Sequence, residues 1–286
     1  IMELSKNISR KKNRLNSLEN IKHSFCVASG KGGVGKSTTA VNLALALSRR
    51  GRRVGILDAD IYGPSLPLMM GVAEGTRPQI KDKKFMVPLS AHGVECNSMG
   101  FLVDPQTAMA WRAPMINSAF KQILGDTLWS ELDYLIVDMP PGTGDIQLSL
   151  TQSVKLSGAV IVTTPQDVAL LDARKGIELF RKVDVPILGI VENMSTHVCS
   201  SCGHEEAIFG SGGGDRLSVE YGVQLLGRLP LDLAICESTD RGNPVVASMA
   251  EHPASRSYIE ITERIEARIA EVTDSNAMPT ISIEED

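Results

Sequence analysis

The 286 residues carry 29 basic against 34 acidic side chains, with 43% hydrophobic and 4% aromatic residues. A net charge of −5 gives no support to nucleic-acid binding driven by phosphate neutralisation, and the scarcity of aromatic rings argues against base-stacking platforms. No apolar run reaches the roughly 18–20 residues that a membrane-spanning helix needs, so neither nucleic acid nor membrane is expected as a partner.

In chain order, the first 22 residues read as a basic linker or a truncated N-terminal extension. Lys6, Arg10, Lys11, Lys12, Arg14 and Lys22 outweigh Glu3 and Glu19 there. From residue 23 to 272, short apolar runs alternate with helical patterns. Strands are expected over 23–28, 53–57, 134–137, 159–163, 187–191 and 224–226. Helices are expected over 37–50, 108–124, 168–182, 214–221 and 255–272. Near-continuous apolar strands suit parallel pairing with both faces covered, so the pattern predicts one α/β domain built on a doubly wound, mostly parallel sheet. Ligands in such sheets sit at the carboxyl ends of the strands. The stretch 273–286, ending Glu284-Glu285-Asp286, is expected as an acidic, disordered tail.

Residues 30–38 read GKGGVGKST. A glycine-rich loop between a strand and a helix lets backbone N–H groups converge on an anion. Gly30, Lys31, Gly32, Gly33, Val34, Gly35, Lys36, Ser37 and Thr38 are therefore the expected phosphate cradle for ATP. Lys36 supplies a point charge near the β- and γ-phosphates, and the Ser37 hydroxyl a hard ligand for Mg²⁺. One βα unit later, Asp58 and Asp60 follow a strand end, where carboxylates hold metal-bound water or orient an attacking water. A second apolar strand ends in Asp138, the expected Mg²⁺ partner. The loop Met139-Pro140-Pro141-Gly142-Thr143-Gly144-Asp145 follows it, and the Gly142 amide is placed to sense a γ-phosphate.

Cys199-Ser200-Ser201-Cys202 lies in a polar stretch with His197 and His204. A single C-x-x-C reads as a redox pair, half of a zinc site, half of an iron–sulfur site, or an incidental pair. With His197 and His204 it could close a zinc site within one chain, although four ligands in eight residues strain a tetrahedron. Cys26, Cys96 and Cys236 have no motif partner and are read as structural. An odd total of five thiols points to a reducing compartment. Met69, Met70 and Trp111 are expected to pack in preference to recognising a ligand, and Met115 and Trp129 carry no functional expectation.

Lys31, a second lysine inside the loop, makes the sequence resemble the deviant Walker A ATPases, the class of the nitrogenase iron protein and MinD. That resemblance implies a nucleotide-sandwich homodimer in which Lys31 reaches the partner's nucleotide, Asp60 positions the nucleophile and Asp58 lies near the metal. Together with DADIYGPS from Asp58, DMPPGTGD from Asp138, TTPQD from Thr163 and ENMS from Glu192, the chain resembles the Mrp/ApbC type of iron–sulfur carrier ATPase. It is also similar to the mitochondrial relatives serving respiratory complex I. The match covers about residues 21–250, and its most specific motif is DMPPGTGD with the downstream C-x-x-C. It implies a Mg²⁺-dependent ATP hydrolase that gathers a [4Fe–4S] cluster between the Cys199 and Cys202 pairs of two chains. The cluster would come from a donor and pass to apo iron–sulfur proteins, with zinc as an alternative occupant. It further implies that Asn193 contacts the adenine, with Pro230 and Asp232 near the base. Cytoplasm is the expected location, with the mitochondrial matrix as the alternative. A competing reading is a ParA/MinD-like positioning ATPase. The helix over 255–272 has an apolar stripe but a mixed-charge polar face, so packing on the core is expected in place of membrane binding.

Overall fold

The computed structural model describes residues 18–102, 111–199 and 201–275. The chain enters through β1 (Ile21–Ala28), turns through the glycine-rich loop into α1 (Lys36–Arg49), and returns as β2 (Val54–Asp58). A short α2 (Leu66–Met69) leads to four short strands, β3 (Gln79–Lys81), β4 (Phe85–Val87), β5 (Leu89–Ala91) and β6 (Val94–Ser98). Then come α3 (Ala113–Asp126), β7 (Leu132–Asp138), α4 (Asp145–Thr151), β8 (Gly158–Thr163), α5 (Asp167–Lys182) and β9 (Ile187–Glu192). A small hairpin, β10 (His197–Val198) and β11 (Glu205–Glu206), precedes α6 (Gly213–Tyr221) and β12 (Leu225–Arg228). The last helices are α7 (Leu233–Asp240), α8 (Val245–Ser248) and α9 (Pro253–Ser275).

Eight strands form one sheet in the order β12-β9-β8-β1-β7-β2-β6-β5, parallel throughout except for the antiparallel β5 edge. Alternation in β1 explains its central place. Phe25 and Val27 face one apolar layer with α1 and α9, while Cys26 and Ala28 face the other with α3 and α5. In β7, Tyr134 and Ile136 face the first layer and Leu135 and Val137 the second. This is the doubly wound α/β sheet that the strand–helix alternation predicts.

Several boundaries differ from expectation. β1 begins at Ile21, so Ile21 and Lys22 belong to the sheet and not to a linker. α3 starts at Ala113, where Pro114 suits the first turn; Trp111 and Arg112 are non-helical, and the expected residues 108–110 lie outside those described. α9 continues through Thr273, Asp274 and Ser275, three residues into the expected tail; the remainder of that tail lies outside the described residues. The strands β3–β6 have no counterpart in the sequence reading, because runs of three to five mixed residues carry little periodic signal. Tyr258, Ile261, Ile265 and Ile269 of α9 are buried against the core, so its stripe is consumed by packing as expected. Among the described residues, no helix is long and apolar enough to cross a membrane. Cys26 and Cys96 are buried as structural thiols should be, but Cys236 is exposed on α7.

Candidate functional site

The loop between β1 and α1 is shaped by its glycines. Gly33 and Gly35 adopt φ of 80° and 81°, a left-handed backbone that side chains resist. At Gly35 a Cβ would also overlap the Asn193 amide, so the position excludes any larger residue twice over. The Asn193 Nδ2 donates to the Val34 carbonyl at 2.9 Å, pinning the loop from the far side. Ser29 Oγ closes the turn by donating to Lys31 O at 2.9 Å, and Thr39 Oγ1 donates to Gly35 O at 2.8 Å. Lys31 is half-buried, and its ammonium makes no hydrogen bond or ion pair among the described residues.

Strand register gathers the carboxylates. Asp138 ends β7 and pairs in register with Val27 of β1 and Asp58 of β2, while Asp58 pairs in turn with Ser98 of β6. Lys36 Nζ lies 2.6 Å from Asp138 Oδ1 and 3.0 Å from Ser37 Oγ. Asp58 is fully buried; it accepts from Ser98 Oγ at 2.9 Å, from the Asp60 amide at 3.0 Å and from the Leu66 amide at 3.3 Å. Burial, reinforced by the neighbouring Asp138 charge, pushes Asp58 up to about 7, against the opposing pull of Lys36. Burial also raises Asp60. One ammonium thus faces three carboxylates, a set of hard oxygens that suits a divalent cation with phosphate. The Gly142 amide, expected to sense a γ-phosphate, here donates to Ser29 O at 3.0 Å, and Gly142 has φ of 101°. A cavity of about 610 Å³ opens between Asp60, Tyr62 and the Pro140–Pro141 segment, leaving room for water beside Asp60.

The thiol pair sits on the β10–β11 hairpin. Its ladder is extended by the Cys199 amide, which donates to His204 O at 2.9 Å, and is closed by the Gly203 amide to Cys199 O at 2.8 Å. Cys199 is partly exposed and Cys202 exposed. Backbone amides of Ser201 and Cys202 aimed at the sulfur, with help from the Cys202 side chain, hold the Cys199 thiol below its ordinary range. Among the described residues, no group of three or more His, Cys, Asp or Glu side chains is placed to hold a metal ion. The single-chain zinc site of His197, Cys199, Cys202 and His204 is therefore not assembled. The His197 ring points elsewhere, with Nδ1 3.0 Å from Leu231 O.

Pro230 and Asp232 flank Leu231 directly beneath the hairpin. Asp232 caps α7 through the Ala234 amide at 2.8 Å. Asn193 is held by its own amide to Thr163 O at 2.8 Å, and Met194, which follows it, has φ of 55°, a costly conformation for a non-glycine residue. The P-loop, the acid cluster, Asn193 and the thiol hairpin thus all lie at or just past the carboxyl ends of parallel strands. Ser98 carries no signal in the sequence, because β6 itself has no counterpart in the strand pattern. The His197–Leu231 contact had none, since its acceptor is a backbone carbonyl.

A family model described as ParA: NUBPL iron-transfer P-loop NTPase matches residues 20–266. The chain belongs to this family. Its relatives include an iron–sulfur cluster carrier protein of Pseudomonas fragi, 60% identical over 244 residues and covering 85% of each chain. The iron–sulfur cluster carrier protein of Escherichia coli K12 is 54% identical over 93% of this chain and 73% of its own length. The mouse iron–sulfur cluster transfer protein NUBPL is 48% identical over 88% of this chain and 79% of its own. Among solved structures, a nucleotide-binding protein of Archaeoglobus fulgidus in complex with ADP superposes with a TM-score of 0.73 at 34% identity, covering 86% of this chain and 95% of that one. The cell division ATPase MinD of Pyrococcus furiosus gives 0.66 at 25%, covering 86% and 99%. The fold is thus that of the MinD/ParA-like P-loop NTPases, as the double-lysine loop predicts.

Proposed function

We propose that this family member is an ATP-binding and hydrolysing iron–sulfur carrier. It holds a [4Fe–4S] cluster at a homodimer interface through Cys199 and Cys202 and passes it from a donor to apo-proteins. The observation that carries this reading is the solvent-facing thiol pair, which finds no further ligand among the described residues. Two thiolates satisfy half of a four-cysteine centre, and a two-fold-related copy supplies the other half. The names of the relatives, cluster carriers and a cluster transfer protein, agree with that cargo.

On the nucleotide side, the loop amides and Lys36 hold the phosphates, and Asn193 with Pro230 and Asp232 borders the base. Ser37 and Asp138, with Asp58 behind them, would hold Mg²⁺, which when bound neutralises charge developing on the phosphates. Asp60 orients the attacking water in the space beside Tyr62. Lys31 reaches across to the partner's nucleotide, in keeping with an ammonium that makes no hydrogen bond or ion pair among the described residues. A triphosphate competes with Ser29 for the Gly142 amide, so loop order follows nucleotide state. A positioning ATPase that anchors on membrane is disfavoured by the burial of the α9 stripe. Bacterial cytoplasm is the favoured location, with the mitochondrial matrix as the alternative.

The test is anaerobic reconstitution with iron and sulfide, followed by absorbance and metal analysis. Cys199→Ser and Cys202→Ser are expected to lose the cluster and keep ATP binding. Unchanged iron and sulfide in both variants, or stoichiometric zinc in its place in anaerobically purified protein, overturns the reading.

A further inference from the structure

The hairpin that bears the thiols is tied at its base to the segment bearing Pro230 and Asp232, which the reading above sets beside the nucleotide. The Ser195 amide donates to Leu229 O at 3.0 Å, and Ser195 Oγ to the same oxygen at 3.1 Å. The Leu231 amide donates to Thr196 O at 2.8 Å. Leu231 O, in turn, lies 3.0 Å from His197 Nδ1. A carbonyl can only accept, so Nδ1 carries the ring proton and donates it. Three of these four bonds involve backbone on both sides or a short hydroxyl. Among the described residues, the imidazole is the one side chain that hydrogen-bonds from β10 into the segment bearing Pro230 and Asp232.

His197 precedes Cys199 by two residues, and the Cys199–His204 hydrogen bond continues the same ladder. Alternation along a strand puts residues two apart on one face, so a change in how Cys199 is held is felt first by the His197 ring. At the other end, the same stretch of chain begins with Asn193, whose amide holds Val34 of the phosphate loop. Between them lies Met194 in its left-handed conformation. The segment 193–197 is therefore a short bracket with the phosphate loop at one end, the thiols at the other, and the Leu229–Asp232 segment bonded along its length.

We propose that His197 is a positioning residue that couples the thiol loop to the nucleotide pocket, so that loading Cys199 and Cys202 tightens nucleotide binding through the His197–Leu231 hydrogen bond. The proposal rests on the carrier reading above. Sulfur ligation orders the hairpin, the ordered hairpin fixes the imidazole, and the imidazole fixes the carbonyl between the two base-side residues. A pocket ordered beforehand loses less entropy when nucleotide arrives. Reciprocity then requires that nucleotide strengthen retention of the cargo by the same factor.

The experiment measures MgADP affinity by calorimetry on the full chain, before and after anaerobic loading with ferrous iron and sulfide. Three proteins are compared: wild type, His197→Ala and His197→Asn. Asparagine carries an amide N–H close to where Nδ1 sits and so restores the donor. In wild type, loading is expected to tighten MgADP by about fivefold or more, the usual scale of coupling between sites. In His197→Ala the ratio should fall to one while iron and sulfide content stays at the wild-type level, and His197→Asn should recover most of it. A wild-type ratio of one or below, or an undiminished ratio in His197→Ala, overturns the proposal and leaves the carrier reading standing. Loss of iron from both His197 variants overturns it too, since the ring would then be a ligand. Iron retained by the Cys199→Ser and Cys202→Ser variants removes both readings together.

Discussion

The ammonium of Lys36 lies 2.6 Å from Asp138 Oδ1, and both side chains are buried although they are 102 residues apart in sequence. Removing one partner of such a pair strands the other charge and typically costs ~3–5 kcal/mol. Here the two halves are unequal. Lys36 is the cation facing Asp58 and Asp60 as well, so it keeps partners when Asp138 is changed, whereas three carboxylates lose theirs when Lys36 is changed. Lys36→Ala is expected to be the more destabilising variant in urea denaturation and to abolish nucleotide binding. Asp138→Asn should keep ADP binding in the presence of a chelator and lose Mg²⁺-dependent hydrolysis by about 10²-fold or more.

Asp58 gives the stability a pH dependence with a definite sign. Folded, it titrates at about 7; unfolded, it does so near its ordinary 3.8. The folded chain holds the extra proton between those values. Its contribution is therefore complete below about pH 4 and is lost as pH rises towards 7, a swing on the order of 4 kcal/mol. Urea midpoints of wild type and Asp58→Asn, compared from pH 4.5 to 8, should converge or cross as pH falls, with the variant flatter. Parallel curves would mean that Asp58 does not carry the shift.

Asn193 fastens the phosphate loop from behind. Asn193→Ala leaves the buried Val34 carbonyl without its donor, which costs about 1–3 kcal/mol. Both the urea midpoint and nucleotide affinity should drop, and discrimination between ATP and GTP should narrow. Gly35→Ala, which meets both a positive φ and the Asn193 amide, should be worse on the first two counts.

Thiol reactivity should rank by position. Cys199, held low by neighbouring amides and open to solvent, is expected to react first with iodoacetamide at pH 7.5. Cys26 and Cys96 should be protected, since both are buried and burial pushes their thiols up, Cys96 to about 12. Peptide mapping by mass spectrometry reads the order directly. Early modification of Cys26 would show that the sheet opens.

Lys31 separates assembly from folding. Lys31→Ala should leave the urea midpoint and ADP affinity near wild type, because the ammonium makes no hydrogen bond or ion pair among the described residues. On the proposed sandwich dimer, hydrolysis should fall to near background and sedimentation should show no ATP-dependent association. Full activity in that variant would leave the lysine as a solvated side chain.

The phosphate loop, both aspartate loops and the thiol pair were legible in the sequence because each is a contiguous signature at a strand end. What joins them was not. Ser98 reaches Asp58 from β6, whose VECNS run shows no strand pattern, since its place between β2 and the β5 edge is set by neighbours and not by its own alternation. The Gly142–Ser29 latch and the Leu231 bonds run through backbone atoms, which have no residue identity to read. The start of α3 was misplaced because the apolar residues around Trp111 mimic a helical stripe, whereas Pro114 marks the actual first turn. His197 was noticed for its proximity to two cysteines, and its tie to Leu231 depends on a chain reversal more than thirty residues later.

The central strand has a further consequence for biogenesis. Ile21 of β1 lies opposite Leu132 of β7, and on its other side Phe25 lies opposite Gly158 of β8. At ribosomal speeds those partners follow on the order of ten seconds later. Until then the glycine-rich loop has been synthesised but has no sheet to hang from, so a nascent chain stalled before β7 should be unable to retain nucleotide. Its apolar first strand, meanwhile, is the segment a chaperone has most reason to shield.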